Sequence, residues 1–440
     1  MKMRMQVFIV LAIFVSFISG CNKATETISS KQPPGLPQDT LAMSGASKAP
    51  SVNVFLDASV SMRGYVPVEG QSHYTEVLSA MESAIISGWP NGQAGFFKFG
   101  SVIEPLPERA YLKASSQGFY IEKDTKIEEV IQASVVDDLT VIVTDLFQSD
   151  SDVTLLIKLI TDKYIAQGYA VGIVGIQSEF QGLIYDVGLN RHKFAYDSGI
   201  EDTSRFRPFY LLMLGKHADI LHYHESLRRS LITSTIEPSV FIISKYLNNP
   251  ILDFRSSTIK KMNKLVEVES LYAGERQELT KQLKLKASKN ESDAHNLELD
   301  LGPLQLLPYA PVLNNGQLDV SVDICSADKS LLIMPTLLVD AKLQGQTIGI
   351  KLDFLPKDIA ESTTYLADIS IRPKADLIAT PAWIRSWNMD SSKIRHWVEK
   401  PDEFEGFTTL NLHRFVDGLW RANWQLHKPI IARLYCYFRK

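Results

Sequence analysis

The stretch Ser51-Val-Asn-Val-Phe-Leu-Asp57-Ala-Ser59-Val-Ser61 predicts most about the fold of this chain. It begins with a short apolar run that ends in an acid, as a buried parallel strand does. A second run of the same kind, Leu139-Thr-Val-Ile-Val-Thr-Asp145, follows later in the chain. In an open α/β sheet, ligands bind at the carboxyl ends of the strands. We therefore expect Asp57 and Asp145 to share one site.

Segments with a helical spacing of apolar residues alternate with strand-like runs. The predicted helices lie at 75–86, from 150 or 152 to 167, and at 217–232, and further apolar runs lie at 94–99, 169–176 and 206–215. The middle helix is the clearest, because it starts with cap-like aspartates and stops at Gly168. The alternation predicts an α/β fold with a doubly wound, mainly parallel sheet over residues 50–235.

Asp57, Ser59 and Ser61 place a carboxylate and two hydroxyl groups at alternate positions of one turn. Such oxygen-only groups can converge on a hard cation, and they suit Mg²⁺ or Mn²⁺ better than zinc. This Asp-x-Ser-x-Ser pattern, directly after the first strand, resembles the metal-ion-dependent adhesion site of the von Willebrand factor type A domain. The resemblance covers about residues 50–235, which is under half of the chain.

The resemblance implies a set of metal ligands. Ser59 and Ser61 would bind the cation directly, and Asp57 would reach it directly or through water. Thr125 would be the loop threonine of the site, and Asp145 would be its second acid. Because neutral hydroxyl groups fill much of the inner shell, the cation would keep positive charge and an open position. The Asp or Glu carboxylate of a protein partner could complete that position.

Parts of this pattern have simpler interpretations. The run Thr125-Lys-Ile-Glu128 is also a capping box for the helix that follows, and the two roles of the threonine are compatible. An Asp-x-Ser-x-Ser turn can also be held by local side-chain hydrogen bonds alone. Leu146, which follows the second acid, stands where the family commonly has glycine.

The N-terminus has the pattern of an export signal. Two basic residues precede an apolar run over residues 7–18, which is too short to span a bilayer comfortably and favours a signal peptide over residues 1–20. The following Ile18-Ser-Gly-Cys21 resembles the lipobox of bacterial lipoproteins. The resemblance implies cleavage before Cys21 and a lipid anchor on its thiol, stable when two or more acyl chains are present. Residues 21–49 are rich in small and polar residues and predict a flexible tether.

These features predict a cell-envelope protein, and the composition is that of a globular one. Asn22 follows the cysteine, where the inner-membrane retention signal of such lipoproteins has Asp, so we expect the outer membrane, facing the periplasm. Hydrophobic residues make up 45% of the chain and charged residues 22%, as in ordinary globular domains. The net charge of -4 offers no basic field, which argues against nucleic-acid binding.

Residues 236–440 change to an alternation with period two, as in Leu297-Glu-Leu-Asp-Leu301. Several such strands separated by turn residues predict a mostly antiparallel, sandwich-like β domain. Cys325 and Cys436 lie in strand-like stretches and form either a disulfide or two buried free thiols. Five tryptophans between residues 383 and 424 are either core and cover for a small domain or a surface for a carbohydrate or partner.

Together these expectations describe a membrane-tethered, non-enzymatic protein that grips an acidic side chain of a protein partner through Mg²⁺ or Mn²⁺. A metal-dependent hydrolase is an alternative, but it needs a general base, and only the aspartates are candidates. A structural envelope subunit with a vestigial metal site is a second alternative.

Overall fold

The structure, a computed structural model, describes residues 45–107, 109–146, 153–187, 190–231, 235–248, 251–253, 257–273, 277–288, 295–326, 335–355, 359–361 and 363–440. The predictions for the signal peptide, for lipid on Cys21 and for the tether up to residue 44 concern residues outside this set. The same is true of the aspartates expected at the start of the helix at 150–167. Among the described residues, no helix is both long enough and apolar enough to cross a membrane.

Strands and helices alternate through the first half of the described chain. Its strands are β1 (Ser51–Asp57), β2 (Gln93–Phe99), β3 (Ile103–Pro105), β4 (Leu139–Thr144), β5 (Ala170–Ser178), β6 (Gln181–Val187), β7 (His192–Asp197), β8 (Arg207–Gly215) and β9 (Ser239–Ile243). Its helices are α1 (His73–Gly88), α2 (Ile127–Ala133), α3 (Thr154–Lys163) and α4 (His217–Ser230). The helices predicted from apolar spacing correspond to α1, α3 and α4, so this half is α/β as expected.

Seven of these strands form one mixed sheet in the order β3-β2-β1-β4-β8-β5-β9. Strand β1 pairs in parallel with β2 and β4, whereas the other neighbouring strands pair antiparallel. The prediction of a mainly parallel sheet is therefore wrong. The physical reason is the β6–β7 hairpin that follows β5. Because the chain returns through this hairpin without a crossover helix, β8 enters antiparallel between β4 and β5.

Helices cover both faces of this sheet. Successive residues of a strand point to opposite faces, so Val54 and Leu56 of β1 pack in the cluster that holds α1 and α4. Phe55 points to the other face and packs in the cluster that holds α2 and α3. The neighbouring strands β1 and β4 are therefore buried on both sides, and their carboxyl ends lie at the same edge of the sheet.

The second half of the described chain is mainly β. Its strands are β10 (Ile251–Asp253), β11 (Thr258–Met262), β12 (Val266–Ala273), β13 (Gln277–Leu285), β14 (His295–Leu301), β15 (Val312–Leu313), β16 (Gly316–Gln317), β17 (Asp319–Ser326), β18 (Leu337–Gln344), β19 (Thr347–Phe354), β20 (Thr364–Arg372), β21 (Ile378–Ala379) and β22 (Ala432–Arg439). Its helices are α5 (Ala382–Ser386), α6 (Ile394–Glu399) and α7 (Leu412–His427).

Two larger sheets organise this half. One has the order β11-β14-β19-β18-β16 and is antiparallel throughout. The other has the order β12-β13-β22-β20-β17, with β10 also on β22. In it, β22 is parallel to β13 and β10, and the remaining pairs are antiparallel. The expected antiparallel character of this half is confirmed.

The two halves share one hydrophobic core. Helix α7 packs on α3, and the ring of Trp420 lies in the same cluster as residues of α2, α3 and both C-terminal sheets. Trp397 is also buried, and the other three tryptophans of the 383–424 group pack partly buried against that cluster. This burial agrees with the core-and-cover interpretation. Strand β9, the last strand of the seven-stranded sheet, lies beyond residue 235, where the sequence analysis places the domain boundary.

Cys325 and Cys436 are not joined by a disulfide. In the register of the antiparallel strands, Cys325 lies opposite Leu366 and Cys436 lies opposite Ala367, both on the intervening strand β20. Because adjacent residues of a strand point to opposite faces, the two sulfur atoms lie on opposite sides of the sheet. A disulfide needs Cα atoms within about 7 Å and side chains that converge, so the bridged alternative is incompatible with this fold.

Candidate metal centre

The parallel pairing of β1 with β4 builds the candidate site. Leu56 lies opposite Val143 in the register, so Asp57 and the Thr144-Asp145 pair come together where the two strands end. Both acids are almost fully buried, with 0% of Asp57 and 2% of Asp145 exposed. The expectation that these chain-distant acids meet at one sheet edge agrees with this geometry.

Side-chain hydrogen bonds link the two acids through the serines. The backbone N–H of Ser59 donates to Oδ1 of Asp57 (2.9 Å). The hydroxyl groups of Ser59 and Ser61 are 3.0 Å apart, and Ser61 Oγ donates to Oδ1 of Asp145 (3.3 Å). The hydroxyl of Thr144 donates to Oδ2 of Asp57 (2.8 Å). Four of the five predicted ligands therefore lie in one connected cluster, and Thr144 is an additional member.

Thr125 follows a segment that is bound to the Asp-x-Ser-x-Ser turn. The backbone N–H of Val60 donates to the carbonyl of Glu122 (2.9 Å), and the N–H of Glu122 donates to the carbonyl of Ala58 (3.1 Å). Helix α2 starts with Lys126 as its N-cap residue and has no side-chain cap bond, so the predicted capping box does not form. Instead, the Thr125 hydroxyl is buried without a hydrogen-bond partner among the described residues.

Two buried features, one at this edge of the sheet and one in the adjoining segment, fit a bound cation. A buried hydroxyl that lacks a partner costs about 1–3 kcal/mol, and the Thr125 oxygen is such a group. Burial raises the pKa of Asp57 to about 7, and the negative charge of Asp145 adds to the shift. A divalent ion would favour the ionised carboxylates. The oxygen-only side chains of the cluster therefore fit a hard cation such as Mg²⁺ or Mn²⁺.

The predicted ligand set contains two carboxylates and three neutral hydroxyl groups, the latter from Ser59, Ser61 and Thr125. The described residues contain no group of three or more His, Cys, Asp or Glu side chains that could hold a metal. The candidate centre differs from such a group, because most of its oxygens come from serine and threonine side chains. The candidate centre is therefore of the hydroxyl-rich kind that the sequence predicts, and it lacks the nitrogen and sulfur ligands typical of zinc.

Arg207, at the start of β8, is part of the site but is not one of the residues predicted to form it. Its Nη2 lies 3.6 Å from Oδ2 of Asp145, and its side chain is 4% exposed. Its Nη1 donates to the backbone carbonyls of Gly406 (2.9 Å) and Thr408 (3.1 Å). The sequence does contain an indication of this role. Arg207 is the single charged residue in the apolar run 206–215, and a buried charge needs a partner.

Residues 389–411 of the second half, here called the covering segment, close the site on one side. Thr409 accepts a hydrogen bond from the hydroxyl of Tyr210 (2.9 Å), and Phe404 stacks on Phe194 of the β6–β7 hairpin. A pocket remains between the covering segment, the hairpin and the sheet, and Asp145 and Arg207 both line it. The second acid of the candidate centre therefore borders a pocket that it shares with Arg207 and with the C-terminal half of the chain.

Leu146 adopts a left-handed backbone conformation, with a φ of 55°. Glycine is favoured in this region, because other residues place Cβ close to the backbone. Its N–H donates to the hydroxyl of Thr144 (3.2 Å), which in turn holds Asp57. The position after the second acid therefore needs an unusual backbone conformation here, even though it is a leucine.

Comparisons with known proteins give no family for this chain: no protein-family model, no curated protein and no solved structure matches it.

Proposed function

We propose that this chain is a lipid-anchored protein of the cell envelope that binds a protein partner through a divalent metal ion. The proposed ligands of the Mg²⁺ or Mn²⁺ ion are Asp57, Ser59, Ser61, Thr125 and Asp145. The proposal includes a type A-like arrangement for the first half of the chain, a sandwich-like arrangement for the second half and a lipid anchor on Cys21, facing the periplasm from the outer membrane.

One observation carries the metal-binding part of the proposal. Five oxygen-bearing side chains are buried at the carboxyl ends of β1 and β4 and in the adjoining segment, and one of them, the Thr125 hydroxyl, has no hydrogen-bond partner among the described residues. An ionised Asp57, whose pKa burial raises to about 7, and an unsatisfied oxygen are costly without a cation. A bound Mg²⁺ would remove both costs.

The partner-binding part follows from the charge and shape of the site. Three of the five proposed ligands are neutral hydroxyl groups, and five ligands would leave one position of an octahedral Mg²⁺ open. Asp145 lines a pocket, and the open coordination position of the proposed ion would face it. An Asp or Glu carboxylate of a partner suits such a position, because Mg²⁺ prefers oxygen ligands.

A Mn²⁺ titration of the full-length protein in detergent, followed by electron paramagnetic resonance, tests the metal site. We expect the wild-type chain to bind one Mn²⁺ that Mg²⁺ displaces. Asp57→Asn removes a charged oxygen without changing the side-chain volume, so its affinity should fall at least about tenfold, as for a lost metal-ligand interaction. Asp162→Asn is the matched control, because Asp162 is an exposed acid paired with Lys158, and it should bind Mn²⁺ like the wild type.

Partner capture is tested separately, with the full-length protein as bait in solubilised envelope. We expect capture in the presence of Mg²⁺, loss of capture with a chelator, and loss with Asp57→Asn but not with Asp162→Asn. A wild-type chain that binds no Mn²⁺, or an Asp57→Asn variant that binds it as well as the wild type, would show that the proposed ligands are wrong.

A further inference from the structure

We propose that Arg207 is the specificity-determining residue of this site: it makes the metal-loaded centre cationic, so that the centre selects an anionic group and specifically a carboxylate. This inference rests on the proposed metal site and states why the site would take an acidic partner. The reasons are the position of the guanidinium, the charge balance and the pocket that both charged residues line.

The guanidinium is fixed next to a proposed metal ligand. Nη2 lies 3.6 Å from Oδ2 of Asp145, while Ser61 donates to Oδ1 of the same carboxylate. The two carbonyl acceptors on the covering segment, those of Gly406 and Thr408, hold Nη1 from the opposite side. The Arg207 side chain also lies over the ring of Phe180, 5.4 Å from its centroid. Arg207 therefore cannot move away from the site without breaking several contacts.

The position of Arg207 changes the net charge of the metal-loaded site. The two carboxylates of Asp57 and Asp145 contribute -2, and a divalent cation contributes +2, so these groups alone would form a neutral centre. Arginine stays protonated in proteins, so Arg207 raises the sum to +1. A neutral buried centre gains little from binding an anion, whereas a centre with one excess positive charge is neutralised by a single carboxylate.

Stability alone does not require a charge at this position. Burying a guanidinium is costly, and apolar residues of similar volume often stabilise a protein as well as a buried ion pair does. Arg207 also keeps one unused donor, since its Nε–H has no hydrogen-bond acceptor within the described residues. The side chain lines the same pocket as Asp145. An anion entering that pocket would therefore meet both the metal and the guanidinium.

The test measures Mn²⁺ affinity of the full-length protein in sodium acetate and in sodium chloride at equal ionic strength. Acetate is the carboxylate probe, and chloride controls for screening. In the wild type, we expect acetate to tighten Mn²⁺ binding several-fold. Arg207→Met removes the charge, so Mn²⁺ should bind more tightly in chloride, on the order of tenfold for one nearby like charge, and the gain from acetate should disappear.

Two further variants test whether the effect comes from the positive charge at position 207. Arg207→Lys keeps the charge and should keep both the wild-type affinity and the acetate gain. Arg205→Met removes a nearby charge that is exposed and should change neither measurement. Circular dichroism of each variant establishes that it is folded.

The outcomes distinguish the two proposals. If the wild type binds Mn²⁺ but acetate gives no gain over chloride, the inference about Arg207 is overturned, and this result needs no variant. A folded Arg207→Met that binds Mn²⁺ no more tightly than the wild type overturns it as well, as does an Arg207→Lys variant without the acetate gain. If the wild type binds no Mn²⁺ while Arg207→Met does, the guanidinium occupies the place of the cation, and the proposed function itself fails.

Discussion

Because it is buried, Asp57 holds its proton at pH values where an exposed aspartate is already ionised. In the metal-free protein, burial and the charge of Asp145 raise the pKa of this carboxyl to about 7. The pKa of an aspartate in the unfolded chain is about 3.9. Between these values the folded chain binds more protons than the unfolded chain. The free energy of unfolding contributed by this group is therefore fully present below about pH 4 and is lost as the pH rises to about 7.

In the presence of a chelator, we expect the free energy of unfolding of the wild type to fall as the pH rises from about 4 to about 7. Asp57→Asn should lack this fall, because its amide mimics the protonated acid. Urea unfolding at several pH values between about 4 and 8 measures it, and the comparison with the variant removes the titration of other groups. Excess Mg²⁺ should reverse the trend, because metal binds the ionised carboxylate and its affinity rises with pH. Identical pH profiles of wild type and Asp57→Asn in chelator would contradict the assignment.

The covering segment is the element that joins the site to the C-terminal half. At Gly406 the segment packs directly against the β6–β7 hairpin, and an added Cβ there would overlap the ring of Tyr196. The carbonyl of this glycine also accepts from Arg207. The segment can therefore hold Arg207 only if its backbone stays in close contact with the β6–β7 hairpin.

Gly406→Ala should destabilise the protein by about 1–3 kcal/mol, as other overpacking changes do, and should weaken the hold on Arg207. Gly302→Ala is the matched control, since a Cβ there would meet no atom within 4 Å. Urea unfolding of both variants gives the comparison. Equal stabilities would show that the segment accommodates the methyl group, and that its contact with Tyr196 is looser than the structure indicates.

At the scale of the whole molecule, the shared core predicts how the chain unfolds. The cluster that includes α2 and α3 continues without interruption into α7 and the two C-terminal sheets. Strand β9 and α7 both lie beyond residue 235. A fragment that ends there would leave one sheet edge unpaired and the apolar face of α3 uncovered, which favours aggregation.

We therefore expect the full-length protein to unfold in a single cooperative transition, with the same midpoint by circular dichroism and by tryptophan fluorescence. A fragment of residues 45–235 should show no cooperative transition under the same conditions. Independent, cooperative unfolding of that fragment would contradict the shared core and would mean that the two halves are separable domains.

The features that the sequence predicted well are those that depend on neighbours along the chain. The apolar run ending at Asp57, the spacing that marks α1, and the period-two alternation around Leu297-Glu-Leu-Asp-Leu301 are local patterns, and each is present in the structure. The meeting of Asp57 with Asp145 was also predictable, because parallel strands in α/β sheets bring their carboxyl ends to one edge.

Other features are set by contacts between distant segments. Insertion of β8 between β4 and β5 depends on a hairpin return that apolar spacing does not reveal. The opposite faces of Cys325 and Cys436 depend on strand order, and the carbonyl partners of Arg207 come from a segment some two hundred residues away.

The sequence by itself determined the α/β character of the first half, the strand content of the second half and the residue types gathered at the carboxyl ends of β1 and β4. Only the tertiary structure decided that this edge is covered by the C-terminal half and carries a buried arginine. The physical reason is that backbone propensities and side-chain periodicity act over a few residues, whereas burial and charge compensation depend on which distant surfaces pack together.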